Sequence, residues 1–392
     1  VVPEKFSVPA VAGVPKSIHP PPLNKVVKTK SRPKVTDAFR QLLSDKLGRA
    51  FGAGAAFDTV VPLAGDASSR RYYRVFLRAA GAPSSIIAME LPAGAGLPLS
   101  SEELAIFKQQ PRELPFLNVH RLLSHIGVKV PAIYGHWEDE HILLLEDLGD
   151  TALWDRVQGL ADQDVLNWYQ KALDELLIIH TRGTRSRDNS CVAFQQRFDA
   201  KLYLWEFEHF IEWGLEKRPG AKISAAAIAA LRKTFAEIAA ILERSSDCLS
   251  HRDYHSWNLM IHDDAVHVID FQDALLAPAQ YDLASLLNDR VTDTVVRPLL
   301  EERLVRYYID KRRAIDGGAI DGKEFFEIYR LSAIQRDLKV IGRFYYLDLV
   351  KGKPGYKKFI PPTARRLERN FPQTAITKGL LPLLGEHFEA MQ

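Results

Sequence analysis

Cysteine is almost missing from this 392-residue chain, which has Cys191 and Cys248 and no Cys-x-x-Cys pair. A disulfide framework and a cysteine zinc centre are excluded on that count, and one Cys191–Cys248 bridge is all it allows. Long apolar runs are missing too. The most apolar stretches, Ile86 to Leu91 and His141 to Leu145, have strand length, well short of the about 18 residues a membrane span needs. Charge of one sign is not in excess: 52 Lys plus Arg oppose 49 Asp plus Glu, giving +3. No long basic block occurs beyond the first 40 residues, so neither a nucleic-acid nor a membrane partner is expected. The opening V-V-P-E-K-F lacks a secretion-signal pattern, and the expectation is a cytoplasmic protein with no obligate protein partner.

What is present is ordered along the chain. Residues 1–34 carry seven prolines among basic and small residues, a density that sustains neither helix nor central strand, and read as an extended leader. Residues 35–148 read as a first lobe. Its pattern is a helix from Thr36 to Leu47, strands at Thr59–Leu63, Tyr72–Leu77 and Ser85–Leu91, a helix at Phe116–Ile126, and strands near Val130–His136 and His141–Glu146. Residues 149–392 read as a second, mostly helical lobe. Helices are expected at Gln163–His180, Phe198–Glu216, Ser224–Arg244, from Tyr281 onward, at Arg297–Asp310 and at Lys323–Asp348, with a β insertion between Ser250 and Phe271. The class is α+β: a small antiparallel-sheet lobe followed by a larger helical one.

The chemistry is concentrated in H-R-D-Y-H-S-W-N, His251 to Asn258, followed by V-I-D-F-Q-D, Val268 to Asp273. Asp253 and Asn258 stand five apart in a stretch poorly patterned for helix, and Asp270 ends a short strand. Taken singly such residues are turn formers. Together they provide one carboxylate for an acceptor hydroxyl and two hard oxygen donors, Asn258 and Asp270, for magnesium on a nucleoside triphosphate. His251 is expected to bond the loop backbone and Arg252 to pair with a carboxylate. His251 and His255 lie four apart, but the helical H-E-x-x-H zinc pattern is absent.

Two further stretches suit a nucleotide. G-D-A-S-S-R-R-Y, Gly65 to Tyr72, lies between two strands: Gly65, Asp66, Ser68 and Ser69 make a polar turn, and Arg70 and Arg71 bring cations to phosphate. It is neither G-x-x-x-x-G-K-[ST] nor G-x-G-x-x-G, and an ordinary β-turn uses the same residues. L-L-L-E-D-L-G-D ends a strand at the lobe junction, where backbone around Glu146 and Leu148 would meet an adenine edge.

With these motifs the chain resembles the aminoglycoside phosphotransferase and choline kinase superfamily, whose fold is similar to that of protein kinases. Y-D-L-A-S-L-L, Tyr281 to Leu287, looks like that superfamily's following helix, in which Asp282 would be structural. A narrower resemblance is to bacterial anomeric sugar kinases acting on N-acetylmuramate and N-acetylglucosamine. It is carried by G-D-A-S-S-R-R-Y-Y-R-V, L-P-F-L-N-V (Leu114–Val119), Q-R-F-D (Gln196–Asp199), L-Y-L-W-E-F-E-H-F (Leu202–Phe210), D-F-Q-D-A and L-K-V-I-G-R-F (Leu338–Phe344).

The resemblance implies a protein-kinase-like bilobal fold and transfer of phosphate from ATP, with Mg2+, to an anomeric hydroxyl. It also exposes a departure: Met89 in I-I-A-M-E stands where such folds place a phosphate-binding lysine, leaving Arg70 or Arg71 as the replacement cation. For the sugar, His255, Gln272 and Asp273 flank the expected catalytic loop. Arg197, Trp205, Glu206 and His209 come from the segment the resemblance singles out, where Trp205 is equally suited to core packing. Phosphorylation of another sugar, an amino alcohol or an aminoglycoside, and nucleotide binding without turnover, are the competing expectations.

Overall fold

The computed structural model describes residues 35–63, 70–78, 81–91, 113–290, 292–318 and 320–389, with no side-chain detail for 388 and 389. The described residues within Val1–Gly94 and Ile133–Asp147 form one compact unit, and those within Ala95–Ala132 and Leu148–Gln392 form another. Both cysteines are free and buried.

The first unit is a five-stranded sheet in the order β1-β2-β3-β5-β4, with β1 Ala56–Pro62, β2 Arg71–Arg78, β3 Ser85–Glu90, β4 Ile133–Trp137 and β5 Ile142–Glu146. Every neighbouring pair is antiparallel. Alternation decides its faces: Tyr73, Val75, Ile86, Ala88, Ile142 and Leu144 join one buried cluster, while Met89 and Leu143, in register with one another, point the other way. Helix α1, Asp37–Phe51, covers the first face with Phe39, Leu43 and Leu47, spaced by four. Thr36 caps it by accepting from the Phe39 N–H at 3.2 Å, and Gly52 ends it at φ 96°.

The second unit is mostly helical. Its longer helices are α2 Pro115–Ile126, α3 Asp162–Ile178, α4 Ala200–Phe210, α5 Ala225–Arg244, α6 Ala279–Leu287, α7 Pro298–Asp316, α8 Gly322–Leu349, α9 Ile360–Asn370 and α10 Leu380–Glu389. The expected first lobe of residues 35–148 included α2, but α2 packs in the second unit, where Phe116 stacks on Phe271 at 5.0 Å between centroids. Helix α4 continues as one π-helical stretch, Ile211–Glu216. The strand expected from Val130 starts only at Ile133, after Pro131. Helices α9 and α10 were not expected.

Two small ladders interrupt the helices. β6, Cys248–Ser250, pairs with β9, Leu275–Ala277. β7, Leu259–His262, pairs with β8, Ala265–Val268, across the two-residue turn Asp263-Asp264. Both turn residues have positive φ, 46° and 58°, as a type I′ hairpin turn requires. Among the described residues, no helix is long and apolar enough to cross a membrane.

Candidate active site

The β7–β8 hairpin sets the geometry. Its register pairs Leu259 with Val268, so continuing past the open end puts Asn258 opposite Ile269 and beside Asp270. The Ile269 N–H donates to the Asn258 carbonyl at 3.0 Å, and Asn258 Nδ2 lies 3.3 Å from Asp270 Oδ2. Asn258 Nδ2 also donates to the Asp253 carbonyl at 3.0 Å, tying the first acid of the loop to the other two residues. Asp253, Asn258 and Asp270 are thus brought together.

The loop is pinned from below. Asp282, fully buried in α6, accepts from the backbone N–H of His251 at 2.7 Å and of Arg252 at 2.9 Å. His180 holds the same carboxylate at 3.1 Å. His251 Nε2 bonds the Ile269 carbonyl at 2.9 Å, which joins the loop to the end of β8. Arg252 and Asp270 both have left-handed backbone, φ 76° and 63°. Non-glycine residues hold that conformation only where their surroundings over-determine it, as at functional sites. At Arg252 the surroundings are Asp282 Oδ1 and the Ser250 Oγ, both accepting from its N–H, with Asp282 Oδ2 taking the N–H of His251.

A charge network surrounds Asp253. Burial pushes its carboxyl up, but Lys339, Arg252, Arg336 and His255 outweigh burial and hold it below the usual carboxylate range. Arg336 lies 3.6 Å from its Oδ1. Glu206, 1% exposed, faces Arg252 at 3.6 Å and Lys339 at 2.8 Å and accepts from Gln335 Nε2 at 2.7 Å.

The donor set fits magnesium. Asn258 donates through Nδ2, so its Oδ1 is the atom that would face a metal, and the exposed Asp270 would supply carboxylate oxygen. Gln272 Nε2 donates to Asp270 Oδ1 at 2.8 Å and fixes that carboxylate. Two protein oxygens are what a small, octahedral, water-retaining ion takes when phosphates complete its shell.

Residues 59–317 match the profile of the phosphotransferase enzyme family. The chain belongs to this family. It is 29% identical over 344 residues to the N-acetylmuramate/N-acetylglucosamine kinase of Pseudomonas aeruginosa, covering 84% of this chain and 90% of that protein. Against the protein of the same name from Neisseria meningitidis it is 28% identical over 334 residues, covering 82% and 90%. An aminoglycoside phosphotransferase solved with GDP and kanamycin shares the fold with a TM-score of 0.52 at 14% identity, covering 85% of this chain and 99% of that one. The fold is therefore the protein-kinase-like one, and the protein is a kinase of this phosphotransferase family.

Within this phosphotransferase the remaining expected residues fall into groups. His255 and Gln272 adjoin the Asp253 loop, and Asp273 acts electrostatically on Arg252. Glu206 is taken up by the buried network. Trp205 is 44% exposed and stacks on His209 at 5.9 Å, and His209 in turn meets Tyr346 edge-on at 5.5 Å. Arg197 is not drawn to Asp253: its guanidinium donates to the Glu243 carbonyl at 2.9 Å. Glu146 ends β5 in the first unit, and Leu148 opens the second.

Gly65, Asp66, Ser68 and Ser69 lie outside the described residues. Arg71, a candidate to replace the missing lysine, is bonded to Glu90 at 2.5 Å, and Glu90 also accepts from the Tyr73 hydroxyl at 3.0 Å. Arg336 and Lys339 were missed as site residues. Their only signal was their place in and just before L-K-V-I-G-R-F.

Proposed function

We propose that this phosphotransferase uses ATP and Mg2+ to phosphorylate the anomeric hydroxyl of N-acetylmuramate or N-acetylglucosamine, giving a sugar 1-phosphate. The reading is carried by the convergence of Asp253, Asn258 and Asp270 at the open end of one hairpin. The sugar choice draws on the names of its curated relatives. It places the protein among cytoplasmic enzymes that recycle cell-wall amino sugars.

In this reading the acceptor oxygen forms its bond to the γ-phosphorus as the β,γ-bridging P–O bond breaks. Asp253 accepts the hydroxyl hydrogen bond, orients the oxygen, and takes the proton late. A carboxylate held below its usual range is adequate for that work, because a loose transition state asks for little proton removal early. Asn258 and Asp270 would hold magnesium, which shields the phosphate oxygens when bound. Gln272 keeps Asp270 turned, and His255 and Asp273, beside the Asp253 loop, are the proposed partners of sugar hydroxyls. Trp205 and His209 offer an aromatic surface to a ring.

A second reading rests on Met89, a buried thioether that cannot neutralise phosphate: a nucleotide-binding protein without transfer. One experiment separates them. The purified chain is incubated with ATP, Mg2+ and, in parallel, N-acetylmuramate, N-acetylglucosamine, glucosamine, choline and an aminoglycoside, and product is located by phosphorus and proton NMR. A 1-phosphate on an N-acetyl sugar supports the proposal. Transfer only to another acceptor overturns the sugar assignment, and nucleotide binding without product overturns the enzyme.

A further inference from the structure

Arg336 belongs to α8, beyond the residues 59–317 that match the family. Its side chain is 7% exposed, whereas that of Asp253 is 37% exposed. Their separation of 3.6 Å makes an ion pair, with charge as the attraction. Arg336 has two other contacts: the same Nη1 that faces Asp253 donates to the Arg252 carbonyl at 3.2 Å, and the guanidinium lies 5.4 Å from the centroid of the Tyr281 ring. A guanidinium fixed by a carbonyl and a ring does not follow a mobile carboxylate. The carboxylate settles against it.

The neighbouring cations are engaged differently. Glu206 faces both Arg252 and Lys339, so the buried acid of α4 is the near ion-pair partner of these two cations, which reach Asp253 only through longer-range charge. Gln335, adjacent to Arg336 in α8, fixes the other Glu206 oxygen. The close ion pairs are therefore divided, Glu206 with Arg252 and Lys339 and Arg336 with Asp253, while Lys339 and Arg252 still act on the Asp253 carboxylate at longer range. A planar guanidinium on a buried stem suits the Arg336 position, where it lies near the Tyr281 ring while its Nη1 meets both the carbonyl and the carboxylate; a lysine ammonium lacks that planar face.

We infer that Arg336 is a positioning residue of the phosphoryl-transfer reaction, holding the Asp253 carboxylate aimed at the acceptor hydroxyl. The inference rests on the reading of Asp253 as the group that orients the acceptor. It assigns α8 a role in the chemistry, and it makes the long helix beyond the family match the source of the cation beside the acid.

The test is a double-mutant cycle with Arg336→Gln, Arg336→Lys, Asp253→Asn and the combinations. It is read as kcat and as KM for ATP with the preferred acceptor, using radiolabelled ATP so that slow variants remain measurable. Arg336→Gln is expected to lower kcat by about 30-fold and to change KM for ATP by less than about threefold, with Arg336→Lys between it and wild type. In the Asp253→Asn background the same substitution is expected to cost less than about threefold, because the group it positions is gone.

A wild-type kcat for Arg336→Gln, or an equal loss in both backgrounds, overturns the positioning role while leaving Asp253 as it stands. Near-normal turnover by Asp253→Asn alone removes the reading beneath it. Should Arg336→Gln lose its fold by circular dichroism, Arg336→Lys decides. A kcat loss of about fivefold that vanishes beside Asp253→Asn supports the role, and an additive or absent loss overturns it.

Discussion

Gly342 of α8 lies so close to Phe210 of α4 that a Cβ placed on it would stand 2.8 Å from the Phe210 Cα and 3.0 Å from the His209 carbonyl oxygen. The two helices meet along one direction, Glu206 against Gln335 and Lys339, and His209 against Tyr346. The close approach at Gly342 seats Lys339 on Glu206 one turn away. Gly342→Ala must push backbone against backbone, a clash no side-chain rotation relieves. It is expected to cost about 1–3 kcal/mol of unfolding free energy in urea and to lower kcat by spreading the network behind Asp253. Gly318→Ala is the control, since a Cβ there meets nothing within 4 Å. Equal stability of the two variants would show that α4 and α8 are not in tight contact.

Asp253→Asn keeps the size of the side chain and removes its charge. The loop beneath is held by Asp282 through backbone N–H groups, so the variant is expected to fold and to unfold near the wild-type midpoint. Transfer is expected to fall about 100-fold or more, the usual cost of losing a positioned acid–base group. A folded, uncontaminated variant with near-normal turnover contradicts the assignment.

Gln272 tests the metal reading without touching a ligand. Its amide donates to Asp270 Oδ1 at 2.8 Å from a buried position, so Gln272→Leu frees that carboxylate to turn. The magnesium concentration giving half-maximal rate is expected to rise about tenfold or more, as is usual when an outer hydrogen bond to a metal ligand is lost, and excess EDTA is expected to abolish transfer by the wild type. An unchanged magnesium dependence would place the ion elsewhere.

The sequence was most informative where chemistry and chain are local. Asp253, Asn258 and Asp270 lie within 18 residues, and the hairpin between them needs only a two-residue turn to bring them together. The strands were readable because alternation reports a half-buried face. Periodicity marked α2 as a helix but cannot say which core receives its apolar side, and Phe116 went to Phe271. Pro361 and Pro362 obscured α9, although proline is tolerated in a helix's first turn. Arg336 was unreadable for a stronger reason: a charged residue on a helix is ordinarily solvated, and only packing around Gln335, Arg336 and Asp337 turns this stretch inward.

His180 links acid sensitivity to the same loop. It is fully buried between the Tyr308 hydroxyl, 2.7 Å from Nδ1, and Asp282, 3.1 Å from Nε2, and burial lowers its pKa although Asp282 pulls the other way. The folded state therefore takes up this proton at lower pH than the unfolded chain, whose histidine titrates near about 6.5. As pH falls below that value the unfolded state binds more protons and stability drops, by at most about 1.4 kcal/mol per pH unit for this group, while above about pH 7 the contribution is constant. Burial lowers His120 as well, so it acts in the same direction. Urea unfolding from pH 7.5 to 5.5 is expected to show a falling midpoint, and His180→Asn, though less stable overall, a shallower fall. Stability that rises on acidification would mean that His180 is charged in the folded protein. Because the folded protein takes up this proton only at lower pH, the Asp282 hold on the His251 and Arg252 N–H groups outlasts the first fall in stability, and turnover by the folded protein should not track that fall.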